Sequence, residues 1–310
     1  MKKNSYAIIG SGALGGLYGG MLANAGFDVH FLLHSDYAHV REYGLKVQSL
    51  WGDFHLPSVN AYESADAMPA CDVTIVGLKT VHNHLLPKLL PATTRDGGVV
   101  LVLQNGLGVE ADSAAVVGDY RVLGGCCFLC SNKVGPGTIH HMDFGRIVFG
   151  EYCSNEITPR AQQICEELRS ANIDAKVSGD LNAVRWRKLM WNIPFNGLSV
   201  ALNASTKEII DVPATYELAD AIIREVHQGA AACGVNVPDE AIETTMESTR
   251  KMVPYDSSMR LDFLKGRQME LDAILGNPLD ATKAVGHEMP RVEMLFQVLQ
   301  FMDAAAKEVA

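Results

Sequence analysis

The sequence has no excess of positive charge: 26 lysines and arginines face 36 aspartates and glutamates, a formal net charge of −10 over 310 residues. Nothing supplies the basic stripe that a phosphate backbone or an anionic bilayer surface needs, so no nucleic-acid and no membrane partner is expected. Long apolar runs are missing too. No stretch of about 18 apolar residues occurs, which excludes a spanning helix of ordinary length, and the run before the first glycines is too short for a signal peptide. The seven cysteines are an odd set without the dense spacing of a secreted scaffold, in keeping with a reducing, cytoplasmic setting. No second pair stands at zinc spacing from the CCFLC run, so Cys126, Cys127 and Cys130 read as small buried strand residues. His140 and His141 lie in a hairpin-like stretch without a third ligand, and no metal is expected. What remains, 48% hydrophobic and 20% charged, is a globular composition suited to small-molecule chemistry and long enough for two domains.

The most informative segment is YAIIGSGALGGLYGGMLANAGFDVHFLL. An apolar run (6–9) meets Gly10-Ser11-Gly12-Ala13-Leu14-Gly15, a small-residue helix follows to about Gly26, and a second apolar run covers 29–33. This is the strand, glycine turn, helix, strand order of a dinucleotide site. Gly10 allows the tight turn, Gly12 lets the backbone approach a pyrophosphate, and Gly15 lets helix and strand pack closely. The helix N-terminus then offers N–H groups and the positive end of its dipole to the phosphates. At the tip of the second strand an acid selects NADH by binding the ribose 2′-hydroxyl. Here the tip reads Leu33-His34-Ser35-Asp36; the donors His34 and Ser35 favour NADPH, while the nearby Asp36 leaves NADH open. Further strand-like runs at 72–79 and 98–106 place Lys79 and Asn105 at the carboxyl edge of a parallel sheet, where ligands bind. Their plainer readings are a solvated loop charge and an Asn-Gly turn.

After a last strand at 174–177 the pattern becomes helical, with helices expected at 181–202, 212–233, 238–252, 257–275 and 290–307. This change divides the chain into a Rossmann-type domain, 1–179, with a doubly wound, mostly parallel sheet, and an all-helical domain, 180–310: an α/β fold. The first of these helices carries Lys188, Asn192 and Asn196 four residues apart in an otherwise apolar stretch. Steps of four drift by only about 40° on a helix, so the three form one stripe. Buried without partners, such groups cost several kcal/mol each, so they face water or hold something. Pro194 removes a helical hydrogen bond inside this stripe and predicts a kink.

Taken together, GSGALGG at the start, LKT at 78–80, LQNG at 103–106, WRKLMWNIPFN at 186–196 and SSMRLDFLKGRQMELDAILG at 257–276 resemble the 2-dehydropantoate 2-reductase (ketopantoate reductase) family over nearly the whole chain. The resemblance implies NADPH-dependent reduction of the 2-oxoacid 2-dehydropantoate to pantoate, a step of pantothenate biosynthesis, in a cleft between a Rossmann and a helical domain. By motif matching Lys188 takes the general-acid position, Asn192 and Asn196 hold substrate oxygens, Ser258 binds substrate, and Asn105 sits where cofactor and substrate meet. Glu270 orients substrate or cofactor hydroxyls; its plainer reading is a surface pair with Arg267. The chain departs from the family where a strand-tip arginine is usual, at His34, and in the CCFLC run. Other readings are reduction of a different 2-oxoacid, a 3-hydroxyacid dehydrogenase, and a nucleotide-binding sensor without turnover. A homodimer is compatible with a helical second domain.

Overall fold

The computed structural model describes residues 3–309 and divides into two compact units, one made of 1–104 and 109–181, the other of 105–108 and 182–310. The first unit is built on a ten-stranded, mostly parallel sheet. Its strands are β1 (Ser5–Ile9), β2 (Asp28–Leu32), β3 (Leu45–Ser49), β4 (Phe54–Leu56), β5 (Asn60–Tyr62), β6 (Cys71–Val76), β7 (Thr94–Val102), β8 (Val122–Gly135), β9 (Thr138–Glu151) and β10 (Ala175–Val177). Helices α1 (Ala13–Asn24), α2 (Tyr37–Tyr43), α3 (Leu86–Thr93), α4 (Glu110–Val117) and α5 (Pro159–Ser170) connect them.

The order β7-β6-β1-β2-β5 is parallel throughout, and its central strands are buried on both faces, as their unbroken Ile and Val runs require. Strands β3, β4 and β5 escape the sequence reading. β4 and β5 have three residues each, too few to show alternation, whereas β3 does alternate, with Leu45 and Val47 buried. The hairpin-like stretch at 136–151 holds only a turn and one strand: its antiparallel partner is β8, which precedes it, each strand has 14 residues, and Gly135 pairs with Thr138 across the Pro136-Gly137 turn. β9 then pairs in parallel with β3 through its first half and with β10 through its second. β7 ends at Val102, so Gln104 and Asn105 lie beyond the strand rather than in it.

The second unit is helical: α6 (Leu181–Trp191), a π turn (Asn192–Asn196), α7 (Gly197–Ala201), α8 (Thr206–Asp211), α9 (Pro213–Ala232), α10 (Glu240–Lys251), α11 (Ser258–Leu264), a second π turn (Asp272–Gly276), α12 (Asn277–Ala284) and α13 (Pro290–Val309). Its core joins Trp186, Met190, Phe195, Ile223, Leu275 and Leu299, all nearly or fully buried. The helix expected over 257–275 is interrupted. Gly266 has φ +62°, its N–H donates to the Phe263 carbonyl, and the Arg267 N–H donates to that of Asp262. This left-handed C-cap closes α11, and 267–270 follow outside any helix or strand. Among the described residues no helix is long and apolar enough to cross a membrane.

One buried group makes the stability of the sheet unit depend on pH. His141 is 1% exposed, lies 2.9 Å from Ser49 Oγ and 3.0 Å from the Phe144 carbonyl, and meets the Trp51 ring edge-on. Burial lowers its pKa below 6.5, against hydrogen bonds to the Phe144 and Asp143 carbonyls that raise it. The unfolded chain therefore takes up a proton there before the folded one does, and stability falls as pH drops below 6.5. A His141→Gln variant should show a flatter dependence of Tm on pH in that range; an unchanged slope would refute the assignment.

Candidate active site

In the first unit the glycine turn has the form the sequence predicts. Gly10 adopts φ +94°, and a Cβ there would lie 2.4 Å from the Leu78 nitrogen; one on Gly15 would lie 2.3 Å from the Gly10 carbonyl oxygen. Both must be glycine for β1, α1 and the segment after β6 to meet. Gly12 has no such crowding: a Cβ there would meet nothing within 4 Å, so space for a phosphate lies open above it. The first helical bond of α1 runs from the Gly16 N–H to the Gly12 carbonyl at 2.8 Å, and no side chain caps that end. Ser11, Gly12, Ala13 and Leu14 are all partly exposed there. A dinucleotide fits this cradle: donors face open space and nothing acidic stands in the first turn of α1.

Two neighbouring segments complete this edge. Gly77 donates to the Ile9 carbonyl at 2.8 Å, which brings Leu78 and partly exposed Lys79 beside the glycine turn. Gln104 Nε2 reaches both the Leu78 carbonyl (3.0 Å) and Asn83 Oδ1 (2.6 Å), and Asn83 in turn bonds Asp112. Gln104, 3% exposed, thus fixes the loop carrying Lys79. Ser11 Oγ donates to the Leu32 carbonyl at 3.1 Å, tying the turn to the tip of β2. His34 and Ser35 are exposed just beyond that tip, whereas Asp36 is buried and pairs with Lys133, 2.8 Å away.

The second unit gathers the polar stripe. Lys188 is partly exposed near the end of α6, its Nζ 5.2 Å from the centre of the Trp191 ring. Asn192 and Asn196 are each 2% exposed, so the stripe is mostly internal. Pro194 does not end the helix; the chain widens into a π turn that accommodates the prolyl ring, the physical form of the expected kink. With more residues per turn there, a four-residue step falls short of a full circle instead of overshooting it. The two drifts offset, and Asn196 returns toward the face of Lys188. Among the described residues no donor reaches the buried Asn196 Oδ1.

Two hydrogen-bonded chains connect this stripe to the other candidate residues. Ser199 Oγ donates to the Asn196 carbonyl (2.9 Å) and sits 2.7 Å from Ser257 Oγ; Ser257 caps α11 through the Arg260 N–H. Sequence reasoning chose Ser258, which is partly exposed on the first turn of α11, and missed the fully buried Ser257 that sets its position. On the other side, Asn192 Nδ2 lies 3.4 Å from Asn105 Oδ1. Asn105 is held by the second π turn: Leu107 donates to the Ala273 carbonyl at 2.9 Å, and Asn277 Nδ2 donates to the Leu107 carbonyl at 2.7 Å.

Glu270, 5% exposed, stands two residues before this π turn, and its carbonyl accepts from the Ile274 N–H. Its approach is fixed at both ends. Arg267 pairs with buried Asp262, and the Met269 N–H donates to Asp303 Oδ1 at 3.0 Å. Asp303, from α13, is a positioning residue with no sequence signal, since its partner is a backbone group 34 residues away. Among the described residues no three His, Cys, Asp or Glu side chains are grouped to hold a metal; Cys126, Cys127 and Cys130 are buried on β8.

A glycine-turn cradle on a Rossmann-type sheet and a helical unit bearing a lysine and buried amides are compatible with a pyridine-nucleotide-dependent oxidoreductase acting on CH–OH and C=O groups, the class to which proteins similar to this chain belong. Comparison with known proteins makes the class specific. The family model described as ketopantoate reductase PanE/ApbA matches residues 6–154, and its C-terminal counterpart matches 180–303. A 2-dehydropantoate 2-reductase from Nostoc sp. is 50% identical, covering 98% of this chain and 96% of its own. The crystal structure of a 2-dehydropantoate 2-reductase from Geobacter metallireducens superposes with a TM-score of 0.93 at 40% identity, covering 96% and 99% of the two chains. A D-mandelate dehydrogenase solved with NADH and anilino(oxo)acetate shares the fold, with a TM-score of 0.87 at 20% identity and 97% and 99% coverage. The chain belongs to the ketopantoate reductase family.

The docking of 105–108 is testable. Gly106 has φ +118°, and a Cβ there would lie 2.5 Å from the Ala273 oxygen. Gly106→Ala should cost about 1–3 kcal/mol in strain, lower Tm accordingly and, if Asn105 serves the site, raise KM. A variant with parental Tm and KM would show that the segment's conformation does not matter.

Proposed function

We propose that this protein reduces the C2 carbonyl of 2-dehydropantoate to the alcohol of pantoate, using NADPH. The observation that carries the reading is the stripe itself: a partly exposed lysine followed by two buried amides, one with an unfilled buried acceptor. A buried acceptor of this kind costs free energy unless a ligand supplies a donor, and a substrate hydroxyl supplies one. The 50% identity to a named 2-dehydropantoate 2-reductase supports the choice of substrate.

The bound nicotinamide supplies the hydride. The Lys188 ammonium hydrogen-bonds the C2 oxygen, stabilises negative charge as it develops there, and gives that oxygen its proton. Asn192 and Asn196 hold the substrate hydroxyl and carboxylate oxygens, Ser258 contacts the substrate from the first turn of α11, and Asn105 bridges substrate and cofactor. Glu270 orients hydroxyls. Gly10, Ser11, Gly12, Ala13, Leu14 and Gly15 receive the pyrophosphate, with Lys79 and His34 as cationic or donor contacts beside it. The unit of 1–179 binds nucleotide and that of 180–310 binds substrate, with 105–108 serving the latter. NADPH is favoured over NADH because His34 is exposed at the strand tip and Asp36 is engaged by Lys133.

Loss of NADPH absorbance with a panel of 2-oxoacids tests the reading. Fast turnover of 2-dehydropantoate is expected, with kcat falling at least about 100-fold in Lys188→Ala. A folded, nucleotide-binding Lys188→Ala with parental kcat would refute the proton-donor role, and turnover of only a different 2-oxoacid would refute the substrate. Asn196→Ala should mainly raise KM, because it removes a binding contact, and its Tm should change less than burial alone suggests, because Oδ1 makes no internal bond.

A further inference from the structure

Asp36 stands four residues beyond the last residue of β2, in the loop where an acidic side chain decides between a ribose 2′-hydroxyl and a 2′-phosphate. Its carboxylate is turned away from the loop surface. Lys133 Nζ, from the far end of β8, lies 2.8 and 2.9 Å from its two oxygens. The Gly137 N–H of the β8–β9 turn donates at 3.1 Å, and Ser35 Oγ donates at 3.2 Å. The aspartate side chain is 9% exposed and the lysine 34%, so the ammonium is the half of the pair nearer to solvent. Burial alone would raise the Asp36 pKa, but the bonds from Lys133 and Gly137 outweigh it and hold the carboxyl below its ordinary value. The ammonium lies against both oxygens of the carboxylate, so the two opposite charges of the pair offset one another.

The same loop leaves His34 and Ser35 exposed, and Ser11 bonds the Leu32 carbonyl, which places the phosphate-binding turn against the strand tip.

We propose that the Lys133–Asp36 pair sets the nucleotide preference of this site: the lysine cancels a carboxylate that would otherwise repel a 2′-phosphate and accept from a 2′-hydroxyl. The pair supplies what a strand-tip arginine would supply by direct contact, but by neutralisation, across 97 residues of chain. A purely structural clamp between the β2–α2 loop and the β8–β9 turn would change stability without changing the ratio of affinities for the two nucleotides. A charge lock changes that ratio, and in opposite directions when either half is released.

The inference rests on the nucleotide-site reading above, and the experiment separates the two. Dissociation constants of NADPH and NADH are measured by fluorescence titration on the full chain, without substrate, for the parent, Lys133→Met, Asp36→Asn and the double variant. Lys133→Met should shift the affinity ratio toward NADH by about tenfold, and Asp36→Asn should shift it toward NADPH by about threefold or more. The double variant should return within about twofold of the parent. Should Lys133→Met fail to fold, Asp36→Asn decides alone. Single variants that fold and stay within about twofold of the parent, or that shift in the same direction, overturn the proposal. A parent that prefers NADH overturns the NADPH reading only, because the opposite shifts are differences from whatever ratio the parent has.

Discussion

A proline inside a buried helix is the constraint on which the helical unit turns. Pro194 has no N–H to give and crowds the preceding turn, yet the segment around it is fully buried, so the chain cannot simply unwind into water. It widens instead. The π turn keeps the helix continuous from α6 to α7 and swings Asn196 back toward the line of Lys188. A second π turn, at 272–276, packs against the first and exposes the Ala273 carbonyl to Leu107. Both distortions stand at candidate site residues, where such turns are common. Local irregularity here is how a packed bundle presents polar groups without giving up its core.

The sheet unit solves a different problem, the approach of backbone to backbone. Gly10 against Leu78, and Gly15 against Gly10, leave no room for a side chain. That crowding fixes the relation of three segments that each end in a candidate nucleotide contact. Gln104 then locks the Leu78 loop from beneath. Each unit therefore places its candidate contacts on buried, hydrogen-bonded supports, which keeps such groups in one geometry.

Much of this was legible in the sequence because it is periodic or punctuated. The strand, glycine turn, helix, strand order of the first 33 residues, the burial of the parallel strands and the long helices α9, α10 and α13 all follow from pattern. Short strands such as β4 and β5 did not, because three residues carry no alternation. The break after α11 was hidden because Gly266 in a polar helix-like run reads as a tolerated residue until its left-handed φ is seen. Lys188, Asn192 and Asn196 could be picked out by spacing, while their supports could not: Ser257, Asp303 and Lys133 act through partners 34 to 97 residues away, and no local pattern encodes a distant partner.

The four residues 105–108 belong by packing to the helical unit although the chain on either side belongs to the sheet. The bond from Asn277 to Leu107 spans 170 residues of sequence. The helical unit is thus not a continuous stretch of polypeptide, and no single cut yields it whole: a fragment beginning at 182 would lack the strap that fills its second π turn. Synthesis from the N-terminus makes that strap long before the helices that receive it. Its docking must wait until residues 273–277 have been made, so the contacts that position Asn105 close a loop of about 170 residues.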